Sequence, residues 1–402
     1  MAVNTGSRKM DVIFLITYAV LIVSNVLQER ISGVFAYVDE ASVVILIVWA
    51  AYLLYLGRRN ADTYNKRISA ILVVFVAIGM LSNFFSGIDQ PIKAMAIDLF
   101  TCIKFFLMFI CVNVITENHS EGIIKLCADF SRLYLLVMLL FLPTSYVVDT
   151  GMIIGERPGY AFLYGHPSNF AAAVVTCLVM IIADRKKVKE FTAIAALLLI
   201  ASDRSKAIAF AAVAVFALIL MKKGNKIPAG FWIASCIGSV FVAFDQIKLY
   251  FLNTETARSV LLSSSFGVAN RFFPLGSGFA TYGSNITITN YSPLYYDLGF
   301  DRVWGLSPMY NDYIADSFWP IVIGQFGYIG LLFLTILLIN LLLKAANAVK
   351  ANNAPVWPIC LIFIYLIIAS TSESAFFSSY SPVMAMSMAL FMNVKYKSQV
   401  QI

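Results

Sequence analysis

Charge is the first thing this chain lacks. Asp, Glu, Lys and Arg make up 13% of its 402 residues, where a soluble protein of this size carries about 25%. Apolar residues make up 60%, and mean hydropathy is +0.82. A large separate soluble domain is excluded, because too few positions remain to build one. Histidine is almost absent, with only His119 and His166, far apart, so a zinc site is short of ligands. Six cysteines are present without a C-x-x-C pair. Cys102, Cys111, Cys177, Cys236 and Cys360 fall in apolar segments and Cys127 in an expected inner loop, which suggests neither disulfides nor a metal site. There is no Walker A motif, no Rossmann glycine signature, no internal repeat and no low-complexity tract, which argues against an ATP-driven machine. The net charge of +7 is not a nucleic-acid signal, since most basic residues sit in short loops between apolar runs, where they set topology.

The apolar runs are what the chain has. Their pattern predicts an all-α, polytopic integral membrane protein, one domain over 1–402, with about 12 spans. They lie near 12–27, 40–57, 68–86, 94–116, 130–148, 168–183, 191–201, 207–221, 229–247, 319–343, 355–370 and 380–394. The N-terminal run has no A-x-A cleavage pattern and reads as the first span. Placing both termini inside puts 19 of the 29 Lys and Arg inside, 9 outside and Lys104 within the fourth span. That bias supports an even number of spans. Three outer segments remain to carry chemistry: 149–167, the tip at 202–206, and a long outer loop at 248–318, rich in aromatics from Phe272 to Phe318. Those aromatics either stack on sugar rings or anchor the loop at the interface.

The stretch "SDRSK" at 202–206 interrupts an apolar run. The flanking basic loops at 184–189 and 222–226 lie on one side, so residues 191–221 go up and come back. Each arm then has about 13 residues and reaches about 20 Å, short of a hydrocarbon core about 30 Å thick. The tip stops below the surface, where charge is functional unless Asp203 and Arg204 simply pair to cap the hairpin. Arg157, Arg204, Lys206 and Arg271 all fall on that side. Guanidinium groups suit phosphate through bidentate, charge-assisted hydrogen bonds. A lipid-linked pyrophosphate combines an apolar tail with dense negative charge at a membrane surface. Asp98 and Lys104 point to different helix faces and are not expected to pair.

"GSGFATYGS" (276–284), "YSPLYYDLGF" (291–300) and "DSFWPIVIGQFGYIGLLFL" (316–334) resemble the pattern of Wzy-type O-antigen and exopolysaccharide polymerases. "ERPGYAFLYGHPSNFAA" (156–172) and "SDRSKAIAF" (202–210) resemble the wider polymerase and O-antigen ligase superfamily. The match covers roughly 156–334; the N-terminal third is similar only in hydropathy. The ligase branch carries a His-Asn pair after the long outer loop and Glu-x-Gly about nine residues on. Here Gln325-Phe326-Gly327 stands at the second position, Asp316 lies nine residues back, and the His is missing. The resemblance implies a GT-C-like fold in a bacterial cytoplasmic membrane. It implies a transferase that moves a growing glycan from undecaprenyl pyrophosphate to the non-reducing end of a lipid-linked repeat unit, without metal or cofactor. Its partners would be the bilayer, the lipid-linked oligosaccharide, and a chain-length regulator and flippase of the same pathway. Asp316 is then the candidate base, with Arg204 catalytic at the leaving group. Arg157, Arg271, Lys206 and His166 are the candidate substrate-binding residues. Two of these have plainer readings: Pro167 and Ser168 start a helix beside an interfacial His166, and Asp316 is a helix N-terminal carboxylate. The rival functions are a ligase that serves another acceptor and a flippase of the same lipid-linked sugar.

Overall fold

The computed structural model describes residues 5–117, 119–154, 158–221 and 256–394. The expected ninth span at 229–247, with Cys236, lies outside the described residues. Among the described residues the regular structure is helical, apart from one small hairpin in which β1 (Ile153–Ile154) pairs antiparallel with β2 (Gly159–Tyr160). The principal helices are α1 (Thr5–Arg30), α2 (Val38–Tyr55), α3 (Thr63–Ser86), α4 (Ile92–Ile115), α5 (Ser120–Val147) and α6 (Pro167–Asp184). They continue with α7 (Val188–Ala201), α8 (Ser205–Met221), α9 (Ala257–Arg271), α10 (Phe318–Asn352), α11 (Val356–Ala369) and α12 (Ser381–Asn393). Among the described residues six helical segments are long and apolar enough to cross a membrane, in α1, α2, α3, α4, α6 and α10. The architecture is that of an all-α, multi-pass membrane protein. One boundary differs from expectation. α5 begins at Ser120, so Cys127 is buried in a helix rather than lying in a loop.

Burial separates a centre from a perimeter. In α6, 89% of the most apolar window is covered by other helices, against 22–33% in α1, α2, α3 and α10. The perimeter helices are apolar on their outward faces as well, which is the pattern of a helix that meets lipid. Val12, Ile13 and Ile16 on α1 and Val44, Ile45 and Val48 on α2 are all exposed.

The central helices are also the short ones, and hydrogen bonds give a common level from which to compare them. At the rim where α1 begins and α12 ends, here the proximal rim, Asn65 on α3 donates to Asn113 on α4 at 2.8 Å, and Asn113 donates to Asn393 on α12 at 2.8 Å. From that level α3 and α4 each rise about 32 Å, at 1.5 Å per residue, whereas α12 rises only about 18 Å. A second set gives the same result. Tyr18 on α1 bonds Ser131 on α5 at 2.9 Å and the Thr176 carbonyl on α6 at 3.3 Å. Above this level α5 continues for about 24 Å and α6 for about 14 Å. The ends of α6 and α12 at the distal rim therefore sit about 10–14 Å below those of their neighbours. Measured along the helices, the centre of that rim is recessed relative to its edge.

The segment 256–318 folds over the rest of the distal rim. Leu261, Tyr282, Leu294, Tyr295, Phe300 and Ile314 form a hydrophobic core of their own, so much of the aromatic content holds this cap together. Its glycine-rich stretch descends beside α3 and meets a break in α10 at Gly327 (φ +61°, ψ −162°). The break frees carbonyls that a continuous helix would use, and the cap takes them. Ser277 N–H donates to Gly324 O at 2.9 Å and Gly278 N–H to Gln325 O at 2.8 Å. A Cβ at Gly276 or Gly327 would overlap the opposing backbone, so this crossing needs both glycines. Asp98 fixes the junction by accepting from Ala280 N–H at 2.6 Å and Gln325 Nε2 at 2.8 Å. Lys104 pairs elsewhere, with Asp39 at 2.5 Å and Glu40 at 3.0 Å on α2, so Asp98 and Lys104 do not pair with each other, as the sequence suggested.

Candidate functional site

Four chain segments meet on the floor of the distal recess: the start of α6, the α7–α8 tip, the α11–α12 turn and the start of α10. The hairpin arms have 14 and 17 residues, about 21 and 25 Å long. The helix does not run through the tip. It breaks at Asp203, whose φ is +48°, and α8 restarts at Ser205. β2 seats on this tip, for a Cβ at Gly159 would overlap the Ser202 carbonyl. The two motifs read separately in the sequence thus lie side by side. Arg157, two residues before Gly159, lies outside the described residues.

Lys206, in the first turn of α8, forms an ion pair with Glu373 from the α11–α12 turn, and their side chains are only 9% and 16% exposed. His166 caps α6 by accepting Ser168 N–H on Nδ1 at 3.2 Å, so Nε2 carries the proton of the neutral ring. The ring opens to solvent on one side. The packing around the rest of it lowers the imidazole pKa; Glu373 and Asp316 act against this, and Lys206 and Arg204 act with it. These four charges and His166 therefore share one electrostatic neighbourhood. Asp316 is held by Arg258 at the start of α9, with Nε at 3.2 Å, and Arg258 also lies 5.1 Å from the Tyr313 ring centre. Phe318, two residues on, packs against Phe376 and Phe377 at 5.2 and 4.9 Å between ring centres. That contact joins the start of α10 to the turn that carries Glu373.

Arg204 is half-buried, and its Nε is buried with no hydrogen-bond partner among the described residues. It makes no ion pair with Asp203, so the simple cap of the hairpin is not what the tip forms. Ser372 Oγ, beside Glu373, and Tyr365 OH, which Glu373 reaches electrostatically, are likewise buried without partners. Buried polar groups are bonded in the great majority of cases. Three unpartnered polar groups around one ion pair leave places that a polar ligand or water can fill.

Of the residues singled out in the sequence, Arg204, Lys206, His166 and Asp316 come together. Arg271 does not. It sits at the far end of α9, about 20 Å along the helix from Arg258, and pairs with Asp297 at 3.0 Å, both side chains more than half exposed. Glu373 and Arg258 were missed. The signal for Glu373 was present, since a lone carboxylate separates two apolar runs too short to span comfortably. Arg258 gave no signal, because nothing marked α9 as a helix within a long polar loop. Among the described residues no cluster of three or more His, Cys, Asp or Glu has the arrangement to hold a metal ion. In comparisons with known proteins the chain matches no family model and no curated protein.

Proposed function

We propose that the protein is a polysaccharide polymerase of the outer face of a bacterial cytoplasmic membrane. It transfers a growing glycan from undecaprenyl pyrophosphate to the non-reducing end of a lipid-linked repeat unit. The observation that carries this reading is the recessed floor, where a half-buried arginine with an unpartnered Nε stands beside two carboxylate–cation pairs. On this reading the fold is GT-C-like with twelve spans, both termini are cytoplasmic, and the recess faces outward.

The chemistry asks little more than the floor supplies. The acceptor hydroxyl oxygen attacks the anomeric carbon of the donor glycan. The bond from that carbon to the pyrophosphate oxygen breaks, and the pyrophosphate leaves with the electron pair. Arg204 and Lys206 are the cations at hand for the departing charge; Arg157, the third the sequence suggests, lies outside the described residues. A donor aimed at charge that grows in the transition state contributes about 3–4 kcal/mol. The hydroxyl proton passes to a carboxylate within hydrogen-bond reach. Asp316 and Glu373 are the two at hand, each held by a cation. His166, with Nε2–H outward, serves as a donor to a sugar or phosphate oxygen. Arg271 is left with Asp297 as part of the cap.

Deletion of the gene tests the reading. Surface polysaccharide run on a gel should show single repeat units in place of long chains. Long chains that persist but fail to reach their final acceptor would point to the ligase instead. Polymerisation by the purified protein in vitro separates a polymerase from a flippase, which would move the lipid-linked sugar without lengthening it. Orientation has its own check: cysteines placed at Lys187 and Lys223 should both resist an impermeant external thiol reagent, and labelling of one alone would break the twelve-span topology.

A further inference from the structure

The proximal rim holds a second feature that the transferase reading does not use. Past the end of α2, Gly57 turns left-handed (φ +62°), and Arg58 N–H bonds back to Leu53 O at 3.0 Å. This left-handed helix end turns Arg58 and Arg59 toward the start of α1, where Lys9 lies. The three cations stand over a cavity of about 470 Å³, whose wall is apolar: Met10, Ile13, Trp49, Leu53 and Ile115. Glu117 approaches Arg59 to 3.9 Å and offsets one charge, which leaves the mouth cationic. Ile13, part of this wall, is itself exposed, as are Val12 and Ile16 on α1 and Val48 on α2.

We propose that this cavity binds an anionic phospholipid, with the phosphate among Lys9, Arg58 and Arg59 and the first part of an acyl chain along Ile13, Trp49 and Leu53. Charge and shape both select the occupant. A soluble phosphate would need only the cations, whereas the apolar wall, which includes the exposed Ile13, is matched by an acyl chain. A zwitterionic lipid gains little, because its ammonium would meet the same cations. Each uncompensated basic group near an anionic headgroup contributes about 1 kcal/mol, so two predict a preference of on the order of ten-fold or more. The inference stands apart from the transferase reading and from the orientation of the chain, since a symmetric bilayer offers the same lipid to either rim.

Trp49 is the reporter. The full-length protein is placed in nanodiscs of phosphatidylcholine that contain a small fraction of lipid with brominated acyl chains, which quench tryptophan on contact. The protein has five tryptophans, and subtracting a Trp49→Phe variant isolates the signal from Trp49. Brominated phosphatidylglycerol should quench Trp49 at about one-tenth the mole fraction that brominated phosphatidylcholine requires. The triple change Lys9→Gln, Arg58→Gln, Arg59→Gln should remove the preference, and Arg58→Lys with Arg59→Lys should keep most of it. If the triple variant does not fold, Arg58→Gln and Arg59→Gln singly should each reduce the preference. Equal quenching by the two lipids, or a preference that survives neutralisation, overturns the proposal. Recovery of Trp49 emission by millimolar glycerol 3-phosphate would overturn the lipid assignment and make the site one for a small soluble phosphate.

Discussion

Two polar clusters lie at opposite ends of the bundle, and they differ in how fully their groups are bonded. At the proximal rim Lys344 donates to Asp62 at 2.5 Å, Asn65 at 2.9 Å and Asn113 at 2.7 Å. Asn393 Nδ2 donates to the Asn113 carbonyl at 2.7 Å and to Thr116 Oγ1 at 3.0 Å. This network ties α3, α4, α10 and α12 together with its donors and acceptors matched. At the distal recess the Lys206–Glu373 pair is surrounded by orphaned groups on Arg204, Ser372 and Tyr365. Both clusters use buried lysine and polar side chains, so composition does not tell them apart. Satisfaction does. A fully bonded network rigidifies a fold, and one left unmatched costs stability unless a ligand or water completes it.

The contrast is broken or sharpened by mutation, with the largest expected effect on stability at the proximal rim. Lys344→Met strips Asn65 and Asp62 of a donor and should cost about 2–3 kcal/mol. Thermal unfolding of the purified protein measures it, and the fraction that folds should still make polymer. Glu373→Ala leaves Lys206 without its partner. The cost of an unpaired buried charge is about 3–5 kcal/mol in a closed interior, but the recess admits water, so about 1–2 kcal/mol is expected here. Polymer should nonetheless fall far more than the folded fraction does. Equal losses in the two readouts would make the pair structural. Ser372→Ala removes a hydroxyl that makes no bond and should leave stability unchanged or raise it by up to about 1 kcal/mol, while shortening chains.

The smallest effect is pH-dependent. The pKa of His166 is lowered in the folded protein, so the unfolded chain takes up its proton first as pH falls. Stability from this residue is therefore complete above the unfolded value near 6.5 and declines as pH drops from there toward the lower folded value. Protonation of Nδ1 also breaks the cap on α6. His166→Asn retains a capping acceptor and should remove this part of the pH dependence in thermal unfolding scans. An unchanged profile would show that His166 does not titrate in that window.

Much of the fold was legible because it rests on one-dimensional signals. Apolar runs marked the helices, and basic loops on either side of 191–221 required a short hairpin with a charged tip. The resemblance grouped Arg204, Lys206 and His166, and the seating of Gly159 on the Ser202 carbonyl brings their two motifs side by side. What stayed hidden depends on contacts distant in sequence. Glu373 is 167 residues from Lys206, and no local pattern marks it as the partner. Arg258 reaches Asp316 only because the cap folds around its own core. Arg271 has the same composition signal as Arg204, but a neighbour at Asp297 claims it. The depth of the recess needed the heights of α5 and α6, and of α4 and α12, to be compared at bonded levels.

The most direct test is Arg204→Ala, read as polysaccharide chain length in cells whose membrane level of the variant is confirmed by immunoblot. If the protein is the proposed polymerase, Arg204→Ala takes from the departing pyrophosphate a donor worth about 3–4 kcal/mol, which is a fall of roughly two to three orders of magnitude in rate. Long polymer should almost disappear while the protein still accumulates. Arg204→Lys keeps the charge without the planar fork and should retain only a small fraction. Normal chain length in Arg204→Ala at normal protein level would contradict the account and return Arg204 to a structural charge at a helix turn.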